Sequence, residues 1–325
     1  MNVVILTEGL KGTGYGHLTR CLSLYQAFEE RGIRPKFIAD CDEIGQVFLG
    51  QIHLHVQAWR DNFDDFIRIA GKSDILVVDS YLAGPHVYKR LDSTTDLLAC
   101  FDDYQRIDYP AGVVINGTIG AERIPYPGDG LHRYLFGIQY MPLRREFWDV
   151  SPRKLVRESG NVLLIFGGQD TRNMTDGVLK HLLTTFPEFT YHVVSSANPD
   201  RAHSAPDSRS VKHHANLTAG DFLLLMQGCD FAVSAAGITT YELARIGLPT
   251  IAVGVVDNQR ANLRGWTDAG FLRSELWWDD PDLFQKIDIE VMTHLKSTGG
   301  PGLLCDGQGA RRVARQLCEW HEANT

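Results

Sequence analysis

Val3-Val-Ile-Leu6, followed directly by Thr7-Glu-Gly-Leu-Lys-Gly-Thr-Gly-Tyr-Gly-His17-Leu-Thr-Arg20, is the stretch on which the fold turns. The four apolar residues read as a buried strand. After the glycines, Leu18, Cys21, Leu22, Tyr25 and Phe28 recur at spacings of three and four, the signature of a helix with one apolar face. The unit is therefore strand, glycine-rich turn, helix, with His17 where the helix begins. Gly12, Gly14 and Gly16 free the backbone and let a ligand approach closely. A helix N-terminus presents unbonded N–H groups and the positive end of a dipole, which suits an anion and favours a neutral, proton-accepting imidazole. The glycines alone fit a plain tight turn with a capping histidine equally well. Their Gly-x-Gly-x-Gly spacing is not the dinucleotide-binding fingerprint.

Outward from this unit the chain alternates. Strand patterns are expected at 35–40, 52–56, 74–79, 96–102, 113–116 and 134–138, with helices at 43–49, 61–70 and 85–91. Residues 117–133, rich in Gly, Pro and charge, read as a loop, and 147–159 as a linker or a linking helix. The pattern then restarts. Strands are expected at 161–166, 189–195, 210–213, 229–234 and 249–253, and helices at 174–186, 218–227, 239–246, 258–269, 282–296 and 308–322. Short strands alternating with helices imply right-handed crossovers and parallel sheets covered on both faces. The chain of 325 residues thus reads as two doubly wound α/β domains, 1–150 and 151–325. Ligands of such sheets bind at the carboxyl ends of the strands.

Composition narrows the partners. The net charge is −8, and the first 150 residues carry 15 Lys/Arg against 20 Asp/Glu. Neither half is basic, which argues against a nucleic-acid backbone or an anionic membrane as partner. Six cysteines are scattered with no C-x-x-C pair, which points to a reducing, cytoplasmic setting and away from a disulfide scaffold or a zinc ribbon. The N-terminus lacks the basic flank of a signal peptide, and no apolar run approaches the ~20 residues that span a bilayer. Asp102-Asp103 reads as polar strand-end residues near the pocket, and His53-x-His55 and His213-His214 lack a third ligand at suitable spacing, so no metal and no cofactor is expected.

A second strand-turn-helix unit is Ser234-Ala-Ala-Gly-Ile-Thr-Thr-Tyr-Glu-Leu-Ala-Arg-Ile-Gly-Leu-Pro-Thr250. Ala235, Ala236 and Gly237 permit close approach at a helix N-terminus, where a diphosphate is the natural ligand. Glu242, one turn in, either accepts a ribose diol or complements the helix dipole. In the turn Val256–Asn262, Asn258 caps the next helix or, with Gln259 and Asn262, meets ligand. Gly167-Gly-Gln-Asp170, Asp79-Ser-Tyr81 and Phe101-Asp-Asp-Tyr104 close further strands with polar side chains.

These residues carry a resemblance. Gly-Tyr-Gly-His17-x-x-Arg20, Asp79-x-Tyr81, Phe101-Asp-Asp103, Asn116, Phe136-Gly-x-x-Tyr140-x-x-Leu-Arg144-x-Glu-Phe147, Phe166-Gly-Gly-x-Asp170, Ser234-Ala and Asn258-Gln259, in that order over residues 1–272, resemble the UDP-sugar hydrolases of pseudaminic acid biosynthesis and their spore-coat polysaccharide relatives. The Gly237–Pro249 segment also resembles MurG-type glycosyltransferases. The resemblance implies a GT-B architecture, two Rossmann-like domains with a cleft between them. It also implies a UDP site mainly in the C-terminal domain, no metal, and a last helix that crosses back to the first domain. It implies His17 as the base for the attacking water, Tyr81 and Asn258 lining the sugar pocket, Glu242 on the ribose, and the backbone of Ala236–Ile238 facing the diphosphate. Gly14, Tyr15, Gly16, Gly168, Asp170 and Gln259 complete the expected substrate-binding set.

The implied reaction is inverting, metal-free hydrolysis of a UDP-linked amino or deoxy sugar. The chain departs from the hydrolases in its 117–133 loop, its longer tail, and Glu8-Gly-Leu-Lys11 in place of a serine-rich lead-in. Its Ser234–Gly237 turn is closer to the transferases. A GT-B transferase with a soluble acceptor therefore stands as the alternative, and a non-catalytic nucleotide-sugar binder as a third reading.

Overall fold

The computed structural model describes residues 1–10, 14–49, 52, 54–128, 130–151, 160–167, 170, 172–195, 210–296 and 304–323. Gly12, His53 and Gly168, singled out above, lie outside them. The sequence sets its boundary at 150/151. The folded chain divides into one unit of Met1–Arg145 with Gly307–Thr325 and a second of Glu146–Asp306.

In the first unit the order is β1 (Val3–Gly9), α1 (Gly16–Glu30), β2 (Lys36–Cys41), α2 (Glu43–Leu49), β3 (Leu54–Val56), α3 (Phe63–Ala70), β4 (Ser73–Asp79), α4 (Pro85–Asp92), β5 (Thr95–Phe101), β6 (Gly112–Asn116) and β7 (His132–Phe136). All seven strands pair in parallel in the order β3-β2-β1-β4-β5-β6-β7. β1 is buried along its whole length, as a strand covered on both faces must be. One face packs Val4, Leu6, Ile38, Leu76 and Val78 against Trp59, Phe66, Tyr88 and Leu91.

The other face takes α1 and the last helix, α10 (Gly309–Glu322). The apolar stripe of α10, Ala310, Val313, Ala314, Leu317 and Cys318, is buried. Gly309 rests on the backbone of Met141, where a Cβ would lie 2.1 Å from its carbonyl oxygen, so no larger residue fits. Among its described residues the expected loop at 117–133 holds a 3₁₀ turn, Ala121–Arg123, and β7 begins two residues inside it, at His132 and not at 134.

The second unit runs β8 (Asn161–Ile165), α5 (Met174–Thr185), β9 (Thr190–Ser195), β10 (Val211–Ala215), α6 (Ala219–Gln227), β11 (Phe231–Ala235), α7 (Thr239–Ile246), β12 (Thr250–Gly254), α8 (Arg260–Asp268), β13 (Leu276–Trp277) and α9 (Leu283–Lys296). Its parallel order is β10-β9-β8-β11-β12-β13. The expected helix at 258 starts at Arg260, after a 3₁₀ turn at Asp257–Gln259. The two-residue strand β13 is too short for any pattern to announce.

The expected linker is not loose where it is described. Phe147 and Trp148 are fully buried, and Arg245 of α7 donates to the carbonyls of Phe147, Trp148 and Val150 at 2.9, 3.1 and 2.6 Å.

Each sheet has a point where strand order reverses, between β1 and β4 in the first and between β8 and β11 in the second. Polar side chains collect at the carboxyl edge there, as doubly wound sheets dictate.

Candidate active site

In the first unit Gly14 takes φ +80°, a left-handed conformation that favours glycine, and turns the chain into α1. Tyr15 sits at the N-cap and makes no side-chain cap. Its hydroxyl instead reaches Asp42 at 3.1 Å, while Asp42 also takes the Gly45 N–H at 2.9 Å. Burial and the Asp42 charge push the Tyr15 phenol up to about 12. Among the described residues, its chain neighbours and own helix turn aside, nothing lies within 4 Å of where a Gly16 Cβ would stand, so the turn next to His17 in the chain leaves room there.

His17 and Arg20 lie one turn apart on α1, the spacing that puts side chains on one face. Both are buried, His17 at 6% exposure and Arg20 at 5%. Arg20 clasps Asp79 at the end of β4 with Nε and Nη2, at 2.7 and 2.8 Å, and reaches Asp103 beyond β5 with Nη1 at 2.7 Å. Its guanidinium also lies over the Phe101 ring at 4.8 Å. Burial would raise the Asp103 carboxyl, but the Arg20 charge and the hydrogen bonds from Arg20 and Tyr81 hold it below the ordinary value. Tyr81 donates its hydroxyl to Asp103. Its ring meets the His17 imidazole edge-on, with centroids 4.3 Å apart at 85°. Burial, then the Asp103 charge, raises the Tyr81 phenol well above its ordinary value, so it stays a hydrogen-bond donor.

His17, Tyr81 and the turn Gly14–Gly16 thus meet at one sheet edge. Three charged partners, Arg20, Asp79 and Asp103, complete the cluster and are absent from the set chosen from the sequence. The helical spacing of Arg20 from His17 was the signal for the first; the pairing with Asp79 and Asp103 spans 59 and 83 residues and leaves no local mark. Neighbouring Asp102 plays a different part. It is buried and takes the Tyr126 hydroxyl at 2.6 Å and the Arg106 N–H at 3.2 Å, which is loop structure.

In the second unit β11 leads into α7 through Ala235–Ile238. The Ala236 N–H is used by the sheet, donating to Val253 at 3.0 Å. The N–H groups that follow open α7, where a helix supplies no acceptor of its own. Asn262 donates to the Ala236 carbonyl at 3.1 Å and takes the Tyr241 hydroxyl at 2.6 Å, so it braces the turn. Gln259 accepts the Val255 N–H at 2.9 Å, and its Nε2 lies 3.5 Å from the position of a Cβ on Gly237. Asn258 is exposed in the 3₁₀ turn, and the N-cap position of α8 is Gln259, with no side-chain cap, so the capping reading of Asn258 does not hold.

Glu242 is buried, 2% exposed, in the first turn of α7. Asp170 takes φ +37° and spends both carboxylate oxygens on the N–H groups of Met174 and Thr175, at 2.8 and 2.9 Å. That is a helix cap, the local role for an acid before α5. Arg172, which sequence reasoning passed over, lies over the Trp278 ring at 4.1 Å and donates to the Val255 carbonyl at 3.3 Å, at the same edge.

Among the described residues no group of three or more His, Cys, Asp or Glu is placed to hold a metal ion. No helix among them is long and apolar enough to cross a membrane.

No family model matches the chain. By sequence it is 26% identical over 279 residues to an uncharacterized protein of Methanocaldococcus jannaschii. It is 23% identical over 276 residues to a Helicobacter pylori protein named pseudaminic acid cytidylyltransferase and UDP-2,4-diacetamido-2,4,6-trideoxy-beta-L-altropyranose hydrolase. The matches take in 80% and 84% of this chain but 57% and 48% of those relatives, so the chain spans about half the length of either. With the spore coat polysaccharide biosynthesis protein SpsG of Bacillus subtilis it is 26% identical over 99% of both chains.

Among solved structures it resembles M. jannaschii UDP-GlcNAc 2-epimerase in complex with UDP-GlcNAc and UDP, with a TM-score of 0.61, 12% identity, and 98% of this chain and 100% of that one covered. Acinetobacter baumannii MurG gives a TM-score of 0.56 at 16% identity, over 98% and 100% of the two chains. The fold is GT-B, two parallel-sheet α/β domains.

Proposed function

We propose that this GT-B chain, related in sequence to a pseudaminic acid pathway hydrolase and to SpsG, hydrolyses a UDP-linked amino or deoxy sugar to free sugar and UDP, with inversion. The observation that carries this reading is His17 beside the open space at Gly16, backed by Tyr81 and by a carboxylate cluster at the sheet's reversal point.

In this reaction the first unit supplies the chemistry. His17 takes a proton from water as the water oxygen bonds to the anomeric carbon. The bond from that carbon to the phosphate oxygen breaks, and its electron pair leaves with UDP. A positioned base of this kind contributes about 10²–10⁴-fold. Tyr81 and Asn258 are assigned to the sugar.

The second unit supplies the grip on the nucleotide. The N–H groups of Gly237 and Ile238 are assigned to the diphosphate, whose growing charge is stabilised by the N-terminus of α7, while Ala236, expected to share that role, has its N–H bound to Val253 and offers only close approach. Glu242 is assigned to the ribose and Gln259 to the diphosphate edge, with Gly168 assigned by motif alone. Asp170 enters this scheme through the turn it caps. No step draws on a metal ion.

The test is UDP release from a panel of UDP-linked amino and deoxy sugars without acceptor, with the anomeric product followed by NMR. Free sugar of inverted configuration is expected. Release that requires an added hydroxyl acceptor would establish the transferase alternative instead, and UDP binding with no turnover of any donor would leave a binding module.

A further inference from the structure

The His17 ring has a nitrogen without a partner. Nδ1 is buried and, among the described residues, makes no hydrogen bond. A buried ring nitrogen left unpartnered, as donor or acceptor, costs roughly 1–3 kcal/mol, so its retention calls for a reason. The nearest anion is Asp79, whose Oδ1 lies 4.0 Å from Nδ1. Asp79 is itself fully buried and is fixed by both of its Arg20 hydrogen bonds. Each carboxylate oxygen has a second lone pair, so Oδ1 can accept from His17 without releasing Arg20.

The charges facing the ring come from several elements. α1 brings Arg20, β4 brings Asp79, the loop after β4 brings neutral Tyr81, and the loop after β5 brings Asp103. Two carboxylates therefore share one guanidinium, which leaves an uncompensated negative charge beside the imidazole. The cluster is suited to a positive ring, the species formed once His17 has accepted a proton.

We propose that Asp79 is the positioning carboxylate of His17: it attracts the Nδ1–H as a hydrogen-bond acceptor, leaves Nε2 as the proton acceptor, and balances the imidazolium, while Arg20 holds Asp79 in place. This inference rests on the hydrolase reading above and adds a residue to it. The proton balance is closed. Water gives one proton to Nε2, the Nδ1 proton stays on the ring within reach of Asp79, and the Nε2 proton later returns to solvent. Arg20 and the Tyr81–Asp103 hydrogen bond prevent the carboxylate from swinging away. The order of groups, a base facing a buried acid held by a guanidinium, is the one that sets a histidine's tautomer elsewhere in hydrolytic chemistry, and the 4.0 Å gap must shorten for the hydrogen bond to form.

The experiment has one arm that needs no turnover. Ring ¹⁵N NMR of histidine-labelled wild-type protein, with the His17 signals assigned by their loss in His17→Gln, reads the tautomer directly. A neutral ring carrying its proton on Nδ1 is expected; a proton on Nε2 overturns the proposal. In the second arm Asp79→Asn, close in shape but able to accept only one of the two Arg20 hydrogen bonds, lowers kcat for UDP release about 10²–10⁴-fold with KM within about threefold. An unchanged kcat overturns the proposal. If Asp79→Asn does not fold, the wild-type tautomer still decides. Failure of the hydrolase reading shows differently: wild-type protein then releases no UDP from any donor, whatever the tautomer.

Discussion

Glu8 and Tyr81 stand 73 residues apart in the chain, and the carboxylate of the first accepts the backbone N–H of the second at 2.8 Å. The same oxygen takes the Leu82 N–H at 3.0 Å, and the other takes the Ser80 hydroxyl at 2.6 Å. Glu8 is fully buried and has Arg60 Nε 3.5 Å away. The strand-end acid therefore fixes the loop that aims the Tyr81 ring at His17. Glu8→Gln turns one acceptor into a donor facing these groups, and an unmet buried donor costs roughly 1–3 kcal/mol. The expected result is a lower urea midpoint with the slope unchanged. Glu8→Asp, which keeps the charge on a shorter stem, recovers part of the loss.

The glycines of the first turn separate backbone need from substrate room. Gly14→Ala places a Cβ in open space at φ +80°, so its cost is conformational, about 1–2 kcal/mol of stability. Gly16→Ala has an ordinary φ and also meets nothing within 4 Å, so stability is held or gains a few tenths of a kcal/mol. Turnover of UDP-sugar falls in Gly16→Ala all the same, because its methyl occupies the space beside His17. Thermal melts and UDP release, measured side by side, check the pair.

Asn262 is expected to serve nucleotide affinity without touching nucleotide. Asn262→Ala removes its bonds to Ala236 and to the Tyr241 hydroxyl, each worth about 1 kcal/mol. The Ala235–Ile238 turn is then less ordered before binding, and UDP affinity by calorimetry drops by about tenfold. An unchanged Kd would detach that turn from nucleotide binding.

Acid should act on the second unit through two histidines. Burial, with His214 and Lys212 next in effect, pushes His192 down to about 4; burial and Arg273 do the same to His294. His192 Nδ1 lies 2.9 Å from His214 Nε2, where a second proton is unwelcome. Both rings bind protons more readily unfolded, near 6.5, than folded. Their neutral forms support the fold above about pH 6.5, and that support is lost as pH falls toward 4. Melting temperatures measured from about pH 7 to about pH 4 should fall, and His192→Gln should flatten that fall.

Local pattern made much of this molecule legible. Strand-turn-helix units at Val3–Glu30 and Phe231–Ile246 stand where apolar periodicity and small residues put them. β13, with two residues, offered no period to read. At the site, His17 and Tyr81 were marked by turn and strand-end positions. Long-range pairing was not: Glu8 looked like a departure from its relatives until the fold brought Ser80–Leu82 to it. Asp170 and Asp103 are both acids just past strands, yet one caps a helix and the other joins an ion pair, a distinction set by what the third dimension brings near.

Residues 307–323 finish a unit whose other elements are complete by residue 145, with the whole second unit between. The ribosome therefore makes the first sheet early but must deliver some 160 further residues before α10 can close it. Until then the part of the α1 face that α10 covers, over β4 and β5, is bare in the nascent chain, and at 5–20 residues per second the wait is about 8–32 s. A stop codon just before Gly307 would spare every residue of the second unit and still damage the first. Joining residue 145 to residue 307 through a short linker would instead produce the first unit as an uninterrupted body.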